Sequence, residues 1–174
     1  MMEQIGLFFG SSTGCTEDAA LLIKEEIDAL QPDLIVLHNL AEDDLSSMPS
    51  YAKLMLGVST WEEGGLQEDW FRVFPDLDGI DLSGKQVALF GFGDQAGFPS
   101  TFQNGLGVLA RKVRERGGTL VGLWPTAGYT FQKSLAVEGN TFLGLSLDND
   151  AQMELTDDRI RQWLQQVMAE FGIS

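Results

Sequence analysis

Two stretches, Ile5–Phe9 (IGLFF) and Val87–Phe90 (VALF), carry no polar side chain at any position. A strand with one face in water alternates apolar and polar residues. A strand without alternation is buried on both faces, as in a parallel sheet covered by helices on each side. Helical patterns follow both runs. From Thr16 to Leu30, Ala19, Ala20, Ile23, Ile27 and Leu30 recur at three- and four-residue intervals, and Gln31-Pro32-Asp33 stops the pattern. Phe102–Arg116 places Leu106, Leu109 and Val113 inward, although Gly105 and Gly107 weaken it as a helix, and Gly117-Gly118 closes it. Leu34–Leu37, Tyr51–Val58 and Thr119–Trp124 read as the remaining strands, and Leu66–Phe74 as a helix. A further strand-like run, Phe142–Leu147, precedes a last helix capped by Thr156, with an Ile160, Trp163, Leu164, Val167, Met168 and Phe171 stripe. This alternation predicts an α/β three-layer sandwich. With 174 residues, 44% of them hydrophobic, and no linker or repeat, residues 1–174 form a single domain.

In a doubly wound sheet, ligands sit beyond the carboxyl ends of the strands. The loops after the first, third and fourth strands, Gly10–Thr16, Ser59–Gly65 and Gly91–Phe102, should therefore converge. The first offers the hydroxyls of Ser11, Ser12, Thr13 and Thr16 and opens a helix, whose unpaired N–H groups and positive dipole end favour an anion. No Lys or Arg lies between Met1 and Ala20, and neither a Gly-Lys-Ser/Thr loop nor GxGxxG is present. Such a loop suits one terminal phosphate that is held and not transferred. The second loop presents Trp61 among polar residues and glycines, where its ring can stack on a planar ligand. The third presents Phe98, with Asp94 to accept from a ring N–H and glycines that let backbone approach closely. A planar heterocycle with one phosphate, flavin mononucleotide (FMN) before a nucleotide sugar or ATP, fits these three loops.

A net charge of -15 disfavours nucleic acid and anionic membrane and favours basic protein faces. One cysteine, Cys15, excludes an internal disulfide, and no apolar run reaches the length of a membrane span or forms a signal segment, so a cytoplasmic protein is expected. His38, the single histidine, ends a strand and reads as structural or solvated rather than catalytic. No nucleophile–base pair and no Cys/His metal cluster is evident. A phosphoacceptor receiver domain would need an acidic pair after the first strand and an aspartate after the third; Gly10-Ser11 and Ser59-Thr60 stand there instead.

GLFFGSSTGCTE, STWEEGGLQEDW, LFGFGDQAGF and LSLDNDAQMELTDDRIRQW resemble the phosphate loop, the two flavin-flanking loops and the C-terminal signature of long-chain flavodoxins, with the likeness running from about Ile5 to Gly172. The resemblance implies a flavodoxin-like fold, a five-stranded parallel sheet of order 2-1-3-4-5 with the cofactor at the switch point; flavodoxin is itself the standard example of that order. It also implies an insertion, Pro125–Asn140, that splits the last strand and takes part in partner docking. By the same resemblance Ser11, Ser12, Thr13, Gly14, Cys15 and Thr16 wrap the FMN phosphate. Trp61 and Phe98 cover the two flavin faces, Asp94 stands at the pyrimidine edge, and Asp148 approaches the ribityl chain. Ser59, Thr60, Glu62, Glu63, Gly64, Gly91, Phe92, Gly93, Thr101 and Gln103 complete the candidate cofactor-binding set. Four departures stand out. Cys15 takes the place of a common lysine, Phe98 of a tyrosine and Ser59 of a proline, and Glu62-Glu63 add charge beside the peptide that meets flavin N5.

The implied activity is one-electron transfer at low potential. Non-covalent FMN carries the electron between a reductase, such as an NADPH-dependent flavodoxin/ferredoxin reductase, and acceptor enzymes, with the chain acting as a monomeric, non-enzymatic carrier. Acidic residues near the ring and stacked aromatics disfavour an anionic reduced flavin. The alternative on the same fold, an FMN-dependent quinone or azo reductase, needs an open ring face.

Overall fold

The structure, a computed structural model, describes residues 3–61 and 63–173. β1 (Ile5–Phe9) lies inside the main sheet, with β2 (Ile35–Asn39) on one side and the central β3 (Lys53–Trp61) on the other, both parallel to it. β5 (Gln86–Phe92) pairs parallel with β3, after the two-residue β4 (Gly65–Leu66) has folded back antiparallel on the tip of β3. The outer position beside β5 is shared. β6 (Thr119–Val121) pairs with Gln86–Ala88, and β10 (Leu145–Leu147) pairs with Phe90–Phe92. Counted by position, the order is the expected 2-1-3-4-5 with a divided fifth strand.

The division differs in detail from the expected boundaries. The first half stops at Val121, and Gly122 (φ 73°) turns the chain out of the sheet. β7 (Trp124–Pro125), β8 (Val137–Glu138) and β9 (Thr141–Phe142) then form a separate antiparallel sheet in the order β7-β9-β8. Trp124 and Phe142, expected in the fifth strand, pair with each other there. Phe142 is buried against Phe102, Tyr129 and Phe131, so the insertion has an aromatic centre of its own.

Strand alternation sorts the core into two layers. Ile5, Leu7 and Phe9 of β1 and Ala88, Phe90 and Phe92 of β5 face α1 (Cys15–Leu30) and α4 (Thr156–Glu170), whose buried positions include Ile23, Ile27, Ile160 and Trp163. Phe8, Val87 and Leu89 face the other way, onto Trp70 of α2 (Glu68–Val73) and Leu106, Leu109 and Val113 of α3 (Asn104–Glu115). Each fully buried large side chain contributes about 1.5–3 kcal/mol by leaving water. The two buried tryptophans also satisfy their indole N–H groups, Trp70 on Gly57 O (2.6 Å) and Trp163 on Gly122 O (2.8 Å).

Several helix starts depart from expectation. α3 begins at Asn104, with Phe102 before it in the core. Thr156 is the first residue inside α4 and no side chain caps that helix; its hydroxyl donates to Asn149 Oδ1 at 2.5 Å. The Leu66–Phe74 segment is helical only over Glu68–Val73, because Leu66 pairs with Thr60 as strand. Gln67 caps the shortened helix, its Oε1 accepting from Asp69 N and Trp70 N.

Candidate functional site

β3 outruns its neighbour. β1 ends opposite Gly57, while β3 continues through Val58, Ser59 and Thr60 to Trp61. The second predicted loop is therefore largely strand, and it carries Trp61 past the end of the sheet as a projecting arm. β4 braces the arm by pairing Gly65 with Trp61. Thr60 Oγ1 accepts from Gly105 N at 2.8 Å, which ties the arm to the start of α3.

Beside this arm lies a cleft of about 200 Å³ lined by Thr13 and Cys15, by Ser59, Thr60 and Trp61, by Phe92, Gly93, Asp94 and Phe98, and by Asn149 and Asp150. The three loops expected to converge do so. Trp61 is 39% exposed and Phe98 40%, large apolar rings left partly open to the same cleft. Among the described residues that line it there is no Lys, Arg or His.

The first loop reaches the cleft at the start of α1. Gly14 adopts φ 97°, a left-handed conformation suited to glycine, and no side chain caps the helix. Ser11 Oγ accepts from Gly14 N (3.1 Å), and Ser12 Oγ accepts from Gln67 Nε2 (2.9 Å), which braces the loop against α2. Thr16 is fully buried, its hydroxyl 2.7 Å from that of Ser59, so it joins the first loop to β3 and is sealed from solvent. Thr13 and half-buried Cys15 are the members of this loop that line the cleft.

In the third loop, Asp94 Oδ1 accepts from Gly97 N (2.8 Å), and Asp94 O accepts from Phe98 N (2.9 Å), a turn that sets where Phe98 stands. A Cβ on Gly97 would come within 2.3 Å of Asp94 Oδ2, so this glycine serves a close approach inside the loop. Burial, followed by the neighbouring Asp94 and Asp148 carboxylates, raises the Asp150 pKa above its ordinary value.

Some expected contacts lie elsewhere. Gln103 is fully buried at φ 58°, and its Nε2 points to Gly91 O (2.9 Å), Ser146 Oγ (3.0 Å) and Leu147 O (3.1 Å); it joins β5 to β10 and does not line the cleft. Gly91 is buried within β5, and Thr101 stands behind Gly64, away from the cleft lining. Asp148 is also fully buried. Its two oxygens accept from Gln95 N, Gln95 Nε2, Asp150 N and Ala151 N at 2.8–3.0 Å. Asp94, Asp148 and Asp150 bring carboxylate oxygens within 4.8 Å of one another, yet those four donors already occupy Asp148. Glu63 and Gly64 follow Trp61 at the arm's tip, and Glu62 falls outside the described residues.

Sequence reasoning passed over Asn149 and Asp150, which line the cleft next to Asp148, and Gln67 and Gln95, which brace it from behind. The LSLDND signature was the available signal for the first two. His38, expected to be structural or solvated, has its ring stacked on Phe8 at 4.3 Å and its nitrogens near Asp43 (2.7 Å) and the Tyr51 hydroxyl (2.8 Å).

Comparison with known proteins agrees with this geometry. The family model described as Flavodoxin matches residues 7–163. The chain is 43% identical to a flavodoxin of Nostoc sp. over 99% of its own length and 100% of the relative's. It is 45% identical to flavodoxin 2 of Escherichia coli over 97% of this chain and 96% of that one. Among solved structures, Fusobacterium nucleatum flavodoxin bound to flavin mononucleotide superposes with a TM-score of 0.90 at 29% identity, covering 97% of this chain and 99% of that one. On the match along nearly its whole length, in sequence and in fold, the chain belongs to the flavodoxin family.

Proposed function

We propose that this chain is a one-electron carrier that binds FMN non-covalently, with the phosphate at the Ser11–Thr16 loop and the flavin ring between Trp61 and Phe98. The observation that carries the reading is the pair of partly exposed aromatic rings on one cleft beside the uncapped start of α1. The donor set fits the group. Neutral hydroxyls and backbone N–H groups at a helix start suit one phosphate, and aromatic walls suit a planar ring. The FMN-bound flavodoxin of Fusobacterium nucleatum, similar over nearly the whole chain, supports the same choice.

Bound FMN supplies the redox chemistry. The chain sets the conditions for it. Trp61 and Phe98 exclude water from the ring faces, and Asp94 and Asp150 on the cleft wall disfavour added negative charge, with no lining cation to offset them. A tenfold bias against the reduced state lowers a one-electron potential by about 60 mV. Walls on both ring faces leave little room for the hydride donor and substrate of a quinone or azo reductase. The partners that match a surface of charge -15 are basic-faced redox proteins, an NADPH-dependent flavodoxin/ferredoxin reductase and acceptor enzymes.

Reconstitution with FMN, followed by photoreduction in a spectroelectrochemical cell, tests this. The expected result is one FMN per chain and two resolved one-electron steps. A protein that takes up no flavin, or one reduced in a single two-electron step with NADPH turnover, overturns it.

A further inference from the structure

Behind the cleft, buried Gln95 uses both ends of its side-chain amide. Nε2 donates to Asp148 Oδ2 (2.8 Å) and to Gln152 Oε1 (3.1 Å), while Oε1 accepts from Thr130 N (2.7 Å). Its backbone N–H also donates to Asp148 Oδ2 (2.9 Å). One residue thus fastens three segments that are distant in sequence: its own loop, the 148–152 loop and the insertion. The loop of Gln95 carries Asp94 and Phe98, and the 148–152 loop carries Asn149 and Asp150; all four line the cleft. The insertion is a firm anchor. Gln152 Nε2 donates to Gly128 O (2.8 Å), and Pro99, next to Phe98, accepts from the backbone N–H groups of Gln132 (2.8 Å) and Lys133 (3.0 Å).

We propose that Gln95 is a positioning residue that fixes the spacing of the two cleft rims, with the insertion as its anchor, and so sets the affinity for the flavin ring. The proposal rests on the reading of the cleft as a flavin-ring site. A ring wall held in place before binding loses less freedom when the ligand arrives. Removing a buried amide leaves Thr130 N–H and Asp148 short of partners, and the loops relax to satisfy them.

Apoprotein of wild type and Gln95→Leu, titrated with FMN, riboflavin and inorganic phosphate, tests the assignment. Riboflavin has the ring without the phosphate, and inorganic phosphate reports on the first loop alone. Gln95→Leu should weaken FMN and riboflavin by the same factor, about tenfold for one buried hydrogen-bond set. It should leave inorganic phosphate binding unchanged and shift the visible band of the bound flavin. Unchanged riboflavin affinity with native circular dichroism overturns the proposal, as does a loss confined to FMN. Should Gln95→Leu fail to fold, Gln95→Asn, one methylene short, and Gln152→Ala are read by the same criteria. A wild-type chain that binds neither flavin overturns the cofactor reading and this proposal with it. Flavin binding by wild type with no effect of the variants overturns the proposal alone.

Discussion

Cys15 stands at the first position of α1, half buried, with its backbone at the uncapped helix start and its side chain on the cleft wall. Lysine there would add a charge next to the expected phosphate without altering the aromatic walls. Cys15→Lys should therefore tighten FMN by about tenfold, on the scale of one charge-assisted hydrogen bond. Riboflavin affinity should stay constant. Fluorescence titration of the apoprotein checks both, and equal FMN affinity would show that the loop's N–H groups and hydroxyls already suffice. Residue types carried much of this site in plain view: Trp61, Phe98 and Asp94 stood out because large or charged side chains amid glycines have no core role. Gln67 and Gln95 did not. A glutamine has no periodicity and no preferred layer, and each braces the cleft through partners that folding brings from a different segment.

At the scale of elements, strands buried on both faces were readable because β1 and β5 lack any polar residue over most of their length. The polar end of β3 was not, since Ser59 and Thr60 look like loop until pairing with β4 and β5 is known. Gly107 is a similar case. As a helix former it is poor, yet a Cβ there would sit 2.4 Å from the backbone of Leu135, so the residue that weakened the helix pattern is what lets the insertion lie against α3. The insertion also carries a pH dependence. Burial pushes Tyr129 up to about 12, although Arg159 over its ring (4.3 Å) and the hydrogen bond donated by Trp124 Nε1 work the other way. An acid whose folded pKa is raised has full stability below its unfolded value, about 10, and loses it as pH climbs from there through about 12. Alkaline titration should thus destabilise the protein by roughly 2 kcal/mol at full ionisation, followed by tyrosinate absorbance and urea midpoints. Tyr129→Phe should remove that part of the alkaline loss.

Over the whole molecule, charge is unevenly shared. Arg111, Lys112, Arg114 and Arg116 cluster at the end of α3, where Glu115, Asp78 and Glu138 pair with the first three. The cleft mouth has Asp94 and Asp150 without a lining cation. Under the proposed reading, a basic partner would be steered to the cleft and away from the far end of α3. Stopped-flow association with a basic-faced reductase should slow at least tenfold between about 10 mM and 500 mM salt; a rate indifferent to salt would assign recognition to apolar contacts. The divided outer strand has a separate consequence for the molecule in a crowded solution. An exposed sheet edge is a template on which another chain can add a strand and begin a fibril. On this side the template is broken into β6 and β10, three residues each, with the insertion rising between them. Only the three-residue β6 is left partly open, because β10 is fully buried and Tyr129 of the insertion donates to Ser146 O, so the insertion also guards the sheet against growing outward along this edge.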